Sequence, residues 1–172
     1  MYFQIDELQK LTLEKKIYFA AVCVERVVQV FEFNYDETIT EPRKTINNLI
    51  YNLVSADTDI SIISYQKEEL KTLIPDVDTM GSEFTPSMLA GVAMLYLLDS
   101  VISKREEDIL SALEYSLQAI DSFSEYDELG VVEERSWHKK ALNIVKNSGE
   151  YPVEEIKAIN EDYPEWSAMW RD

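Results

Sequence analysis

The sequence predicts an all-α fold: a single-domain helical bundle of about six to seven helices around one central apolar helix at residues 85–102. Three observations predict it. From Met88 to Leu98 no side chain is charged, and a helix that is apolar all round must be covered on every side. From Leu13 onward, apolar residues recur at steps of three and four, the spacing of one face of an α-helix. The chain has four Gly and five Pro in 172 residues, too few for the turns of an all-β fold. The run Met88–Leu98 falls short of the roughly 18 apolar residues a bilayer crossing needs, so it reads as the core of a water-soluble domain.

In chain order, residues 5–11 form a short leading turn or helix. Leu13, Ile17, Ala20, Val24, Val27 and Phe31 then line one helical face, with Thr12 as N-cap and Glu14 in the first turn. Phe19, Cys23 and Val30 widen that stripe, so this helix is covered on more than one side. A second helix starts at Pro42, because proline suits the first helical position. It buries Ile46, Leu49, Ile50, Leu53 and Val54. Asp57–Asp59 is a loop, Ile60–Ile63 a connector, and Ser64 caps a third helix that buries Leu70, Leu73 and Ile74 and stops at Pro75.

Residues 76–83 read as a loop. Thr85 caps the central helix with Pro86 in first position. Ala90, Gly91 and Ala93 are small enough to let a neighbour approach closely. Ser103-Lys104-Arg105-Glu106 has capping-box spacing and marks a tight junction to the next helix, whose apolar face is Ile109, Leu110, Leu113, Leu117 and Ile120. A junction that short makes the two helices antiparallel neighbours. Residues 125–130 are a break. Val131–Lys146 is a further helix with Val132, Trp137, Ala141, Leu142 and Val145 as its apolar positions, ended by Ser148-Gly149. Pro152 opens a short helix to about Ile159. The domain spans 1–172, with 150–172 set apart as a C-terminal appendage carrying Trp166 and Trp170, four residues apart on one face.

A domain of about 150 residues buries about 70% of its unfolded surface, so stability requires neither metal nor disulfide. Cys23 is the one cysteine. It lies among Ala and Val, where apolar surroundings keep a thiol inert. Residues 1–7 lack a basic n-region and a long apolar run, so the cytoplasm is the expected compartment.

The formal charge is −17, from 33 acidic and 16 basic residues. That balance disfavours nucleic acid, whose phosphates need Lys and Arg, and it disfavours anionic membranes. It favours a basic protein partner. Between residues 83 and 130 stand ten acidic residues and two basic ones. Glu106, Glu107 and Asp108 lie at one end of that stretch, and Asp121, Glu125, Asp127 and Glu128 at the other. They are the candidate partner-binding residues, together with Trp166 and Trp170. The plainer reading of the same acids is a solvated face.

No catalytic residue, metal site or cofactor is assigned. A di-iron bundle needs Glu-x-x-His pairs, and the chain has one histidine, His138, with Arg135 three residues before it. Glu134 and His138 are four apart and read as a surface hydrogen bond. The four glycines are too scattered for a phosphate loop. Glu25 and Arg26 interrupt an apolar helix. Charges placed between helices must be paired, so this pair reads as an ion-pair anchor to a facing helix near Trp137. The alternative is a ligand groove formed by Glu25, Arg26, Trp137 and His138.

Several stretches resemble one family. Phe19-Ala20-Ala21-Val22-Cys23-Val24-Glu25-Arg26 is similar to its first-helix pattern, and Leu49-Ile50-Tyr51-Asn52-Leu53 to its second helix. Leu73-Ile74-Pro75-Asp76-Val77-Asp78 is similar to its Ile-Pro-x-x-Asp turn. The helical pair 86–123 and Glu133-Glu134-Arg135-Ser136-Trp137 align as well. On these pieces the chain resembles the YjaG-like bacterial helical proteins, a family of unknown function, over about residues 8–160. Gln29 stands where the family tends to have proline. The resemblance implies an all-α fold and no particular chemistry. Two functional classes remain open: a non-enzymatic binding protein, such as an immunity-type inhibitor of a basic toxin domain, or a small-molecule-binding or enzymatic helical protein using the groove.

Overall fold

The computed structural model describes residues 2–32, 41–123 and 129–161. They form helices α1 (Ile5–Leu8), α2 (Leu13–Glu32), α3 (Glu41–Ser55), α4 (Ile60–Leu73), α5 (Val77–Met80), α6 (Thr85–Ser103), α7 (Glu106–Phe123), α8 (Leu129–Asn147) and α9 (Val153–Glu161). Seven of these are nine residues or longer. A 3-10 turn at Ser82–Phe84 leads into α6. No strand occurs among the described residues, so the fold is an all-α single-domain bundle.

Helix α6 is the centre. It packs on α7, α2 and α4, while α2 also carries α3, α7 and α8. Ala90, Ala93, Met94, Leu97, Leu98 and Val101 are completely buried, and Met88, Val92, Leu95 and Tyr96 are half-buried. With the 3-10 turn, the helical span Ser82–Ser103 has 22 residues, and an 18-residue window within it has a mean hydropathy of 1.5. By length and composition it therefore reaches what a membrane crossing requires, which the shorter run 88–98 does not. In this fold 56% of that window is buried against its neighbours. At Gly91 the closeness of the packing is explicit: a Cβ there would lie 2.7 Å from Ile74 Cγ1 and 2.9 Å from Phe31 Cε2.

One apolar core runs from Tyr2 and Leu8 to Ile156, so α9 is joined to the body. Residues 162–172, the rest of the expected appendage, lie outside the described residues. Buried serines are satisfied locally: Ser100 and Ser116 donate to carbonyls three residues back, a common resolution for hydroxyls inside helices. Ser87 donates across to Val30 O at 3.0 Å. Lys15 Nζ donates to Val145 O at 3.0 Å and also to Ser148 O, closing the C-terminus of α8. Buried Lys16 meets Glu106 at 2.6 Å, tying α2 to α7.

Several boundaries differ from expectation, each for a local reason. Ile60–Ile63 is the first turn of α4, because Asp59, not Ser64, is the N-cap: its carboxylate accepts from Ser61 N at 2.9 Å. Ser64 lies inside the helix, donating to Ile60 O. Residues 77–80 are helical rather than loop, since Asp76 caps α5 by accepting from Asp78 N. Thr85 is inside α6, because the preceding 3-10 turn runs directly into it.

The α6–α7 junction is not a capping box with Glu106. Ser103 Oγ donates to Asp108 Oδ2 at 2.6 Å and accepts from Arg105 N, while Lys104 takes a left-handed conformation with φ 59°. Val54 and Val132, expected inside, are 39% and 61% exposed. Helix α8 begins at Leu129, earlier than expected.

Candidate functional site

The structure gathers polar residues at one place inside the bundle, where α2, α8, α9 and the N-terminal segment meet. Arg26 comes from α2. Glu134, Trp137 and His138 come from one face of α8, where the 3.6-residue repeat brings positions four apart together. Arg26 Nε donates to Glu134 Oε1 at 2.8 Å and to Oε2 at 3.1 Å, and Nη2 donates to Oε2 at 2.7 Å. This is the forked geometry in which guanidinium and carboxylate match best. The Arg26 Cζ also stands 4.4 Å from the Trp137 ring centroid, a cation–π arrangement. Asn160 Oδ1 of α9 accepts from Trp137 Nε1 at 2.9 Å and from Arg26 Nη1 at 3.3 Å.

His138 lies behind this pair. Tyr2 OH is 2.9 Å from its Nδ1. Burial, with Cys23 and Glu134 nearby, pushes the Tyr2 phenol well up, so it keeps its proton. The other ring nitrogen of His138, Nε2, is buried without a hydrogen-bond partner among the described residues. It faces Glu134 Oε1 at 3.5 Å, longer than a well-formed hydrogen bond. Burial pushes the Glu134 carboxyl up. The neighbouring His138 and the Arg26 guanidinium pull it further down, to about 2. Glu134 is therefore ionised and its charge is matched by Arg26. Burial, with Glu134 beside it, raises the Cys23 thiol well above its usual value despite nearby Arg26, which keeps it protonated.

The cluster is sealed. Glu134, Trp137, His138 and Cys23 are 0% exposed, and Arg26 is 8% exposed. Glu134 and His138, expected at the surface, are inside. Chemically the arrangement holds three helices and the N-terminus in register. Its guanidinium and carboxylate are committed to each other and its thiol is protonated. Glu25 points to a different neighbour: it lies 3.9 Å from Arg43 of α3, so Glu25 and Arg26 do not share a groove. Among the described residues no three His, Cys, Asp or Glu side chains form a metal-ligand group.

The candidate partner-binding acids are placed unevenly. Glu107 is well exposed, 3.6 Å from Arg105. Glu106 is engaged by Lys16, and Asp108 is buried at the helix junction with Ser103. Asp121 is exposed near the end of α7. Glu125, Asp127, Glu128, Trp166 and Trp170 lie outside the described residues. Sequence reasoning missed Tyr2 and Asn160. The Glu134–His138 spacing was a signal, but nothing local told its buried face from an exposed one.

Fold and site together define an all-helical bundle locked by an internal charge cluster. The profile of a family described as "Protein of unknown function (DUF416)" matches residues 4–165, and the chain belongs to that family. A solved DUF416 family protein from Shewanella baltica OS155 has the same fold: TM-score 0.69 at 21% identity, over 94% of this chain and 93% of that one. No protein of curated function matches.

Proposed function

We propose that the protein is a non-catalytic binding module that captures a basic protein partner in the cytoplasm, as an immunity-type inhibitor does when it occludes a basic toxin domain. The carrying observation is the division of charge. The polar side chains with chemical potential, Arg26, Glu134, His138 and Cys23, are shut inside, while carboxylates such as Glu107, Asp121, Glu154 and Glu155 stand on the surface of a chain of net charge −17. A surface of one sign steers an oppositely charged partner and speeds its association. The sequence resemblance to the YjaG-like proteins belongs to this proposal.

The test is chemical crosslinking in the native host, followed by reconstitution with each purified candidate. A basic partner should bind with an affinity that falls at least tenfold between 50 and 300 mM salt. Binding that is indifferent to salt, or recovery of no basic partner, would overturn the reading.

A further inference from the structure

Helices α3 and α4 are packed on different parts of the body, α3 on α2 and α4 on α6. Between them opens a pocket of about 60 Å³ whose floor includes Ile46, Leu70 and Met94, with half-buried Leu73 beside them. That volume is several times the ~10–15 Å³ a single water needs and suits an aliphatic side chain. Glu41 and Glu69 stand exposed at its rim. On α4 the lining positions 66, 69 and 73 continue one turn back to Ile62, because steps of three and four share a face. Ile62 is 52% exposed.

Further exposed apolar surface adjoins the rim: Tyr65, whose hydroxyl donates to Glu69 Oε1 at 2.6 Å, is 64% exposed. Charge on the α4 side leans acidic, while on the α3 side Glu41 is ion-paired with Lys44 at 2.8 Å. Residues 57–83 hold seven acidic side chains and two basic ones, Lys67 and Lys71. Both lysines are already paired, with Asp99 and Glu68.

We infer that the α3–α4 groove is the docking site for an amphipathic helix of the basic partner, one aliphatic side chain entering the pocket and flanking Lys or Arg meeting Glu41, Glu69 and the carboxylates of residues 57–83. The inference rests on the binding-module reading and adds the surface and the mode, an apolar helix face laid into an apolar groove. A second copy of this chain is a poor occupant. It would bring its own −17 charge against the same carboxylates, and like charges across an interface are costly.

The test uses the full chain with 13C-labelled methionine methyls and a synthetic 14-residue Leu/Lys peptide whose leucines fall on one helical face. A scrambled peptide of equal composition keeps the charge and loses the face. Of the five methionines, Met94 lines the pocket. At 50 mM salt the amphipathic peptide should shift the Met94 methyl saturably, and the scrambled one should not. Thr45→Trp, which fills the pocket wall, should abolish that shift. Glu41→Lys with Glu69→Lys should weaken binding at least tenfold.

If both peptides bind equally and Met94 does not move, the groove assignment fails while charge-driven capture survives. If neither peptide binds, both fail. A Met94 shift that follows protein concentration without peptide would make a second copy the occupant and overturn the inference.

Discussion

Arg26 and Glu134 face each other across the α2–α8 interface through three N–H···O contacts of 2.7, 2.8 and 3.1 Å, with both side chains almost entirely out of water. Removing one partner strands a buried charge, which costs about 3–5 kcal/mol. Replacing both with apolar residues of similar volume is often neutral. Arg26→Met should therefore lower the unfolding free energy by about that amount. Adding Glu134→Leu to Arg26→Met should recover most of the loss. Urea titration of the single and double variants, read as a double-mutant cycle, measures the coupling.

Tyr2 brings the N-terminal segment onto His138. Tyr2→Phe keeps the ring and removes the hydroxyl, and the loss expected for one net hydrogen bond is about 0.5–1.5 kcal/mol. Tyr2→Ala also empties a core position, for which an aromatic deletion costs about 3–5 kcal/mol. Chemical denaturation gives both values. The 15N shift of His138 Nδ1 should change in the Phe variant, because it loses its hydrogen-bond partner; an unchanged shift would show that this bond does not form.

Stability should fall at both ends of the pH scale. Glu134 is lowered to about 2 in the folded state, against about 4.3 in an unfolded chain. Its contribution is full above the unfolded value and disappears as pH falls from about 4.3 toward 2. Glu7, held to about 2 by Lys10 and Lys146, acts in the same direction. It lies at the surface, where salt screens its ion pairs. Melting temperatures measured at high salt should therefore keep the acid limb due to Glu134, and Glu134→Gln should flatten it. Tyr18 is raised by burial to about 12. Stability from its neutral phenol is full below about pH 10 and lost as pH rises through 12.

At Gly91, overpacking competes with helix propensity. Alanine gains about 1 kcal/mol of propensity. Forcing a methyl against Ile74 and Phe31 costs about 1–3 kcal/mol. The clash distances of 2.7 and 2.9 Å decide for destabilisation. Gly91→Ala should lower the melting temperature and Gly91→Leu should lower it further. A rise with alanine would show that Phe31 and Ile74 can move aside.

Much of this architecture was legible because it follows from periodicity. The stripe Leu13–Phe31 and the face Ile109–Ile120 bury as their spacing requires, whereas the uncharged run Met88–Leu98 is covered on only part of its surface, with Met88, Val92, Leu95 and Tyr96 half-buried. Starts of helices were less legible where two capping residues competed. Asp59 and Ser64 are both acceptable caps, and the backbone used the earlier one. The interior cluster was half legible. Arg26 beside Trp137 follows from charge interrupting an apolar helix, whereas Tyr2 and Asn160 reach it only through tertiary folding. No local pattern specifies a partner 136 residues away.

Lys15 shows what that remoteness entails for how the chain folds. The carbonyls that end α8 are closed by a side chain from the first turn of α2, 130 and 133 residues earlier. Contacts between such distant parts of a chain slow folding, since a long loop must close before they contribute. A segment comprising α8 and α9 alone would lack that closure, so the C-terminal third should acquire its structure late, after the N-terminal helix is already in place.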